Sequence, residues 1–195
     1  MKYAVAIDIG GTNTRVALID EKYKIEERTQ FSTDADNPEV TLFKIKQAID
    51  SFDKEIVGVG MSCPGPLDLI EGKILTTPNL HGEWHGLCIT KELEKLIHKP
   101  VYLENDANLA ALAEAIIGEG KEYNIVQYLT VSTGLGAGLV INKKVFQGAH
   151  GFVEEVESLV KTKVYPVVEP LVKVRKSTLN EDSGLLGAAC LAFNS

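Results

Sequence analysis

Residues 3–19 read YAVAIDIGGTNTRVALI, and this stretch decides the architecture. Tyr3 to Ile9 is a short apolar run that stops at Gly10-Gly11, the pattern of a buried strand ending in a tight turn. Thr14 to Ile19 alternates enough to be its hairpin partner, closed by a turn near Asp20 and Glu21. The first turn also has chemistry to offer. Two glycines let the backbone double back and bring its N–H groups close to an anion. Thr12, Asn13 and Thr14 add side-chain donors, and Asp8 at the strand end can hold a metal through water. A plain hairpin would also use Gly-Gly, so the motif gains meaning only from its company.

That company begins with a third strand over Ile25–Phe31. Asn37-Pro38-Glu39 opens a helix with a cap, a first-position proline and an early acid. Leu42, Ile45, Ile49 and Phe52 then share one helical face. A fourth strand, Ile56–Met61, ends at Pro64-Gly65-Pro66. Strand, strand, strand, helix, strand is half of an α/β fold. The pattern continues with a helix over Thr90–Ile97, a strand over Val101–Leu103 and an alanine-rich helix from Asp106 to Ile117, stopped by Gly118. Strands follow at Ile125–Val131 and Gly136–Ile141, with Asn142-Lys143 turning into Val145-Phe146. The spacing then predicts a helix at Val153–Val160, a strand at Val172–Val174 and a closing helix at Leu185–Phe193.

Three further stretches carry chemistry. Thr130-Val131-Ser132-Thr133-Gly134-Leu135-Gly136-Ala137-Gly138 repeats the strand–turn–strand cradle, and two such cradles could share one ATP tail. In Glu104-Asn105-Asp106-Ala107-Asn108, Asp106 sits where a strand gives way to a helix. An Asp there is a common N-cap. The same place keeps a carboxylate ionised, which suits a general base accepting a hydroxyl proton during phosphoryl transfer. The loop Pro78-Asn79-Leu80-His81-Gly82-Glu83-Trp84-His85-Gly86 offers amide, acid and aromatic groups for a polyol, or is a surface loop around one packed Trp. His81 and His85 stand four apart, but the glycines between and after them argue against the helix a metal pair would need.

In this order, the Asp8–Thr12 motif, Ser62-Cys63-Pro64-Gly65-Pro66, Pro78-Asn79-Leu80, Glu104–Asn108 and Ser132-Thr133-Gly134-Leu135-Gly136 resemble the ROK family of repressors, open reading frames and sugar kinases. The resemblance runs to about Phe152 and resumes over Val153–Phe193. It implies an α/β, actin-like and hexokinase-like (ribonuclease H-like) two-lobed ATPase fold with an incomplete second lobe. Residues 1–105 would form the first lobe and 106–195 the shortened second. It implies ATP-dependent phosphorylation of a hexose or amino-hexose, usually at the 6-hydroxyl, with Asp106 as base. Gly65, Asn79, Asn105 and Asp106 itself would line the sugar pocket. Gly10, Gly11, Thr12, Asn13, Thr133, Gly134, Gly136 and Gly138 would hold ATP phosphates, and Asp8 would stand near Mg²⁺. The family's Gly-Glu-Ile-Gly-His segment, cysteine-rich zinc site and later adenosine loop are not visible. Glu155 matches the spacing of the motif's Glu, but Ser158 stands where its His belongs, and Glu155 reads as a solvent-facing helix residue. A catalytically impaired sugar- or nucleotide-binding module is therefore the second expectation, and a folded fragment that uses neither ligand the third.

The bulk numbers suit this class. At 195 residues the chain can bury a substantial core. A net charge of −7 disfavours nucleic acid and anionic membranes as partners. The basic stretch Lys161–Lys176 reads as a solvated face. Cys63, Cys88 and Cys190 are odd in number and lack CxxC spacing, so neither a disulfide framework nor a zinc site is expected. Free thiols, the early charge at Lys2 and the lack of a bilayer-length apolar run point to a cytoplasmic protein without a signal peptide. Only seven residues precede Asp8, so neither a helix-turn-helix there nor a DNA-binding role is expected. Family members often form homodimers through the second lobe.

Overall fold

The computed structural model describes residues 1–131, 135–147, 178–179 and 182–195. Its first half is a meander of three antiparallel strands, β1 (Tyr3–Ile9), β2 (Asn13–Asp20) and β3 (Ile25–Ser32). Helix α1 (Pro38–Ser51) carries the chain across to β4 (Ile56–Ser62), which pairs parallel to β1. Asn37 caps α1 as expected, its side chain accepting from the Glu39 N–H, with Pro38 in the first turn. A two-residue hairpin, β5 (Leu67–Asp68) and β6 (Lys73–Ile74), precedes α2 (Ile89–Ile97). β7 (Val101–Glu104) then joins parallel to β4, so the sheet order is β3-β2-β1-β4-β7.

Helix α3 (Asp106–Ile116) leads to a second, antiparallel sheet of β8 (Ile125–Val131), β9 (Leu135–Ile141) and β10 (Lys144–Val145). Helix α4 (Ser183–Asn194) closes the described chain. The expected helix at 153–160 and strand at 172–174 lie outside the described residues.

The period-two alternation of β1 sends its side chains to two different cores. Val5, Ile7 and Ile9 join Val16, Leu18, Leu42, Ile45, Leu93 and Trp84 on the α1/α2 face. Ala6, with Ala17 and Ile19, meets Leu109 and Leu112 of α3 and Leu185, Ala188 and Ala189 of α4 on the other. The layers run α1 and α2, first sheet, α4, α3, second sheet. An interior helix must be apolar all round and thin, and α4 is both, as Leu185 to Cys190 are all buried. A Cβ at Gly60 of β4 would collide with the Ala188 carbonyl, and one at Gly187 with the Leu109 carbonyl. These two glycines let α4 seat between β4 and α3. No helix among the described residues is long and apolar enough to cross a membrane.

Candidate active site

Register places one polar row across the whole first sheet. Gln30 pairs with Arg15, Arg15 with Asp8, Asp8 with Ser62, and Ser62 with Glu104. Directly paired residues share a face, and Asp8 lies on the Ala6 face, the side that α4 covers. The row crosses β1, β4 and β7 at the carboxyl ends of these parallel strands, where open α/β sheets bind ligands.

Burial raises the pKa of the Asp8 carboxyl above its ordinary 3.8. The Ser62 hydroxyl and the Arg15 guanidinium pull it back, and the Asp106 charge pushes it further up. Ser62 Oγ is buried without a completed hydrogen bond among the described residues, so it acts on Asp8 as a nearby dipole. Burial and the charges of both Asp8 and Asp106 hold the Cys63 thiol far above its usual range. Asp8 and Asp106 therefore share one electrostatic neighbourhood although 98 positions separate them in the sequence.

The Gly10-Gly11 turn is closed by the Gly10 N–H donating to the Asn13 carbonyl at 2.9 Å. Thr12 and Asn13 are exposed beyond it, while Thr14 is buried, its hydroxyl 2.8 Å from that of Thr33. A Cβ on Gly11 would run into Asn79, so the phosphate-type turn and the expected sugar loop form one wall. Gly65 meets Asn105: a Cβ there would lie 3.7 Å from Asn105 Nδ2.

Asn105, not Asp106, is the N-cap of α3. Its side-chain oxygen accepts from the Ala107 N–H at 3.0 Å, which leaves its amide toward Gly65. Asp106 is the first helical residue and exposed, with Oδ1 accepting from the same N–H at 2.8 Å. Glu104 anchors this junction. Its buried carboxylate accepts from Asn105 N–H at 2.8 Å, Asn108 Nδ2 at 3.0 Å and Gln147 Nε2 at 2.8 Å. Sequence reading missed Glu104 as an anchor, along with Arg15 and Ser62. The signal for all three is the cross-sheet register.

Trp84 is fully buried and donates from Nε1 to the Asp34 carbonyl at 2.9 Å, so it packs the loop and presents no face to a sugar. His85 Nε2 lies 2.7 Å from the Leu80 carbonyl, which ties the same loop. Gly136 and Gly138 of β9 lie under the start of α3, where a Cβ on Gly138 would sit 2.6 Å from the Ala107 carbonyl. Thr133, Gly134, Glu155 and Ser158 lie outside the described residues. Among the described residues no three His, Cys, Asp or Glu groups converge on a metal site. Asp8 nonetheless fits Mg²⁺, which keeps most of its waters and needs only one or two carboxylates.

A meander followed by parallel strands in the order β3-β2-β1-β4-β7, with polar turns at its carboxyl edge, defines the actin-like and hexokinase-like α/β class. The chain belongs to the ROK family, whose sequence pattern matches residues 4–156. It is 33% identical over 159 residues to a glucokinase of Thermotoga maritima, covering 80% of this chain and 50% of that protein. It is 29% identical over 160 residues to the xylose repressor of Bacillus subtilis, covering 78% and 41%. The chain thus spans about half the length of the curated relatives it matches. Among solved structures, the ROK hexokinase from Thermus thermophilus superposes with a TM-score of 0.81 at 22% identity, covering 98% of each chain. A ROK glucokinase from Streptomyces griseus, solved with glucose and AMPPNP, gives 0.64 at 29% identity over 76% of this chain and 47% of that one.

Proposed function

We propose that the chain is a cytoplasmic sugar kinase that transfers the γ-phosphoryl group of ATP to a hexose or amino-hexose, at the 6-hydroxyl. The observation that carries this reading is the convergence of Asp8, the Gly10-Gly11 turn, Asn79, Gly65, Asn105 and Asp106 at one sheet edge. Residues 1–105 and 106–195 act as two lobes, with α4 returning to the first sheet. Gly65, Asn79 and the Asn105 amide orient the sugar. Asp106 takes the proton of the attacking hydroxyl as the oxygen closes on phosphorus. Gly10, Gly11, Thr12, Asn13, Thr133, Gly134 and Gly136 hold the triphosphate, whereas Gly138, expected with them, packs under α3 against Ala107 and Ala111. Asp8 would hold Mg²⁺, and the ion would supply charge neutralisation on the phosphate oxygens. Positioning and charge stabilisation are most of what phosphoryl transfer asks of a protein.

The test is ADP release in a coupled assay across a hexose panel. Asp106→Asn should lower kcat by about 10³-fold or more, with sugar affinity within a few fold, because a base acts in the transition state and adds little to ground-state binding. Equal turnover by the two proteins rejects the assignment of Asp106.

The xylose repressors among the relatives, and the half-length coverage, favour one other reading: a sugar- or nucleotide-binding module without turnover. Calorimetric binding of sugar or ATP without ADP release from any hexose selects it.

A further inference from the structure

The carboxyl end of α3 has an arrangement that the kinase reading does not use. Helix α3 ends at Ile116, and its last carbonyls need partners. The Ala113 carbonyl takes the N–H groups of Ile117 and Gly118, and the Glu114 carbonyl takes that of Gly120. The Ala115 carbonyl is met by Lys143 Nζ at 2.7 Å, from the turn that follows β9. The same ammonium donates to the Lys121 carbonyl at 2.7 Å and the Tyr123 carbonyl at 2.9 Å, with the Gly120 carbonyl at 3.4 Å. Three short bonds use all three ammonium protons. The ligands are all backbone carbonyl oxygens, the donor type that replaces the hydration shell of a monovalent cation, and a helix C-terminus adds negative potential.

The backbone supplies an independent observation. Asn142 and Lys143 form the turn between β9 and β10 with φ of 51° and 63°. Such a turn needs positive φ at both central residues and favours Asn-Gly. Lysine stands where glycine is unstrained. A bulky residue persists in that conformation when its surroundings over-determine it, and here the over-determining contact is its own ammonium.

The geometry points to a built monovalent-cation site at the carboxyl end of α3, filled in this chain by the Lys143 ammonium. That ammonium locks the β9–β10 turn to α3, the helix that starts at Asp106. Lys143 is a positioning residue for the second sheet. When its side chain is removed, the cage takes free K⁺ or NH₄⁺.

Lys143→Gly empties the cage and relieves the turn. Lys143→Met removes the charge but keeps the cage plugged. Thermal melting is followed at equal ionic strength in KCl, NH₄Cl and tetramethylammonium chloride. Both variants should melt at least about 4 °C below wild type in tetramethylammonium. K⁺ or NH₄⁺ should restore roughly half or more of the loss in Lys143→Gly, in a saturable way, and none in Lys143→Met. Lys143→Gly melting at or above wild type, or all three salts acting alike on it, overturns the proposal. Wild type provides a check that needs no variant. In ¹⁵N-detected spectra one lysine ammonium should exchange slowly with water, and its signal should vanish in Lys143→Met. Absence of a protected ammonium also overturns it.

Discussion

At Asp8 the proposed metal-holding role is set against the stability of the fold. Its carboxyl is half-buried at the end of β1 and its pKa is raised, first by burial. A group with a raised folded-state pKa stabilises the fold fully below its unfolded value, and that contribution is lost as pH climbs through the folded value. At neutral pH the ionised Asp8 is therefore a cost. Asp8→Asn should melt above wild type at pH 7 without Mg²⁺, and the gap should close as pH falls toward the ordinary 3.8. A melting series from acid to neutral pH checks this, and identical curves for the two proteins would show that the buried charge is fully compensated. Glu104 is the contrasting case, a carboxylate more deeply buried than Asp8 but met by three donors from the backbone, Asn108 and Gln147. A satisfied buried acid fixes its surroundings, and what Glu104 fixes is the junction carrying Asn105 and Asp106.

Between elements, the decisive contact is β9 under the first turn of α3. Gly138→Ala would put a methyl 2.6 Å from the Ala107 carbonyl and 2.7 Å from Ala111 Cβ. Overpacking of this kind costs about 1–3 kcal/mol, and the strain falls on the turn that aims Asp106. The variant should lose about 2 kcal/mol in urea unfolding and about tenfold or more in kcat. Gly184→Ala, with nothing among the described residues within 4 Å of its new methyl, should leave both unchanged or slightly raise stability. If Gly138→Ala matches Gly184→Ala in both measurements, close packing does not set the aim of Asp106. These elements were legible in unequal measure. The β1–turn–β2 hairpin, the Asn37 cap and the strand-to-helix step before Asp106 follow from local patterns of apolar runs, prolines and caps. The row from Gln30 to Glu104 is not local, because it depends on which strands lie side by side. The cap of α3 moved by one residue, since Asn105 and Asp106 both suit the position and only geometry chooses. Trp84 is likewise ambiguous in sequence, as an aromatic in a polar loop can face a sugar or the core. The Lys143 bonds join residues up to 28 apart through backbone carbonyls, which no side-chain pattern reveals.

At the scale of the molecule, α4 and α3 lie between the two sheets among the described residues, and the Gln147–Glu104 hydrogen bond also links them. The Gly10-Gly11 turn belongs to the first sheet and Gly136 and Gly138 to the second. A triphosphate held by the Gly10-Gly11 turn and Gly136 would add a further link between layers that α4 and α3 separate. A ligand that binds only the folded state at 100 times its Kd adds about 2.7 kcal/mol. For a chain of this size that is roughly 5–10 °C in Tm. Mg–ATP and the accepted sugar should each raise the melting temperature by that amount. The shifts should persist in Asp106→Asn, because the proposed base serves transfer far more than binding. Shifts in both proteins with turnover only in wild type match the kinase reading. Shifts without turnover in either protein match the binding module. A melting curve unmoved by Mg–ATP and by every hexose would leave the sheet edge without a ligand, and both readings would fail together.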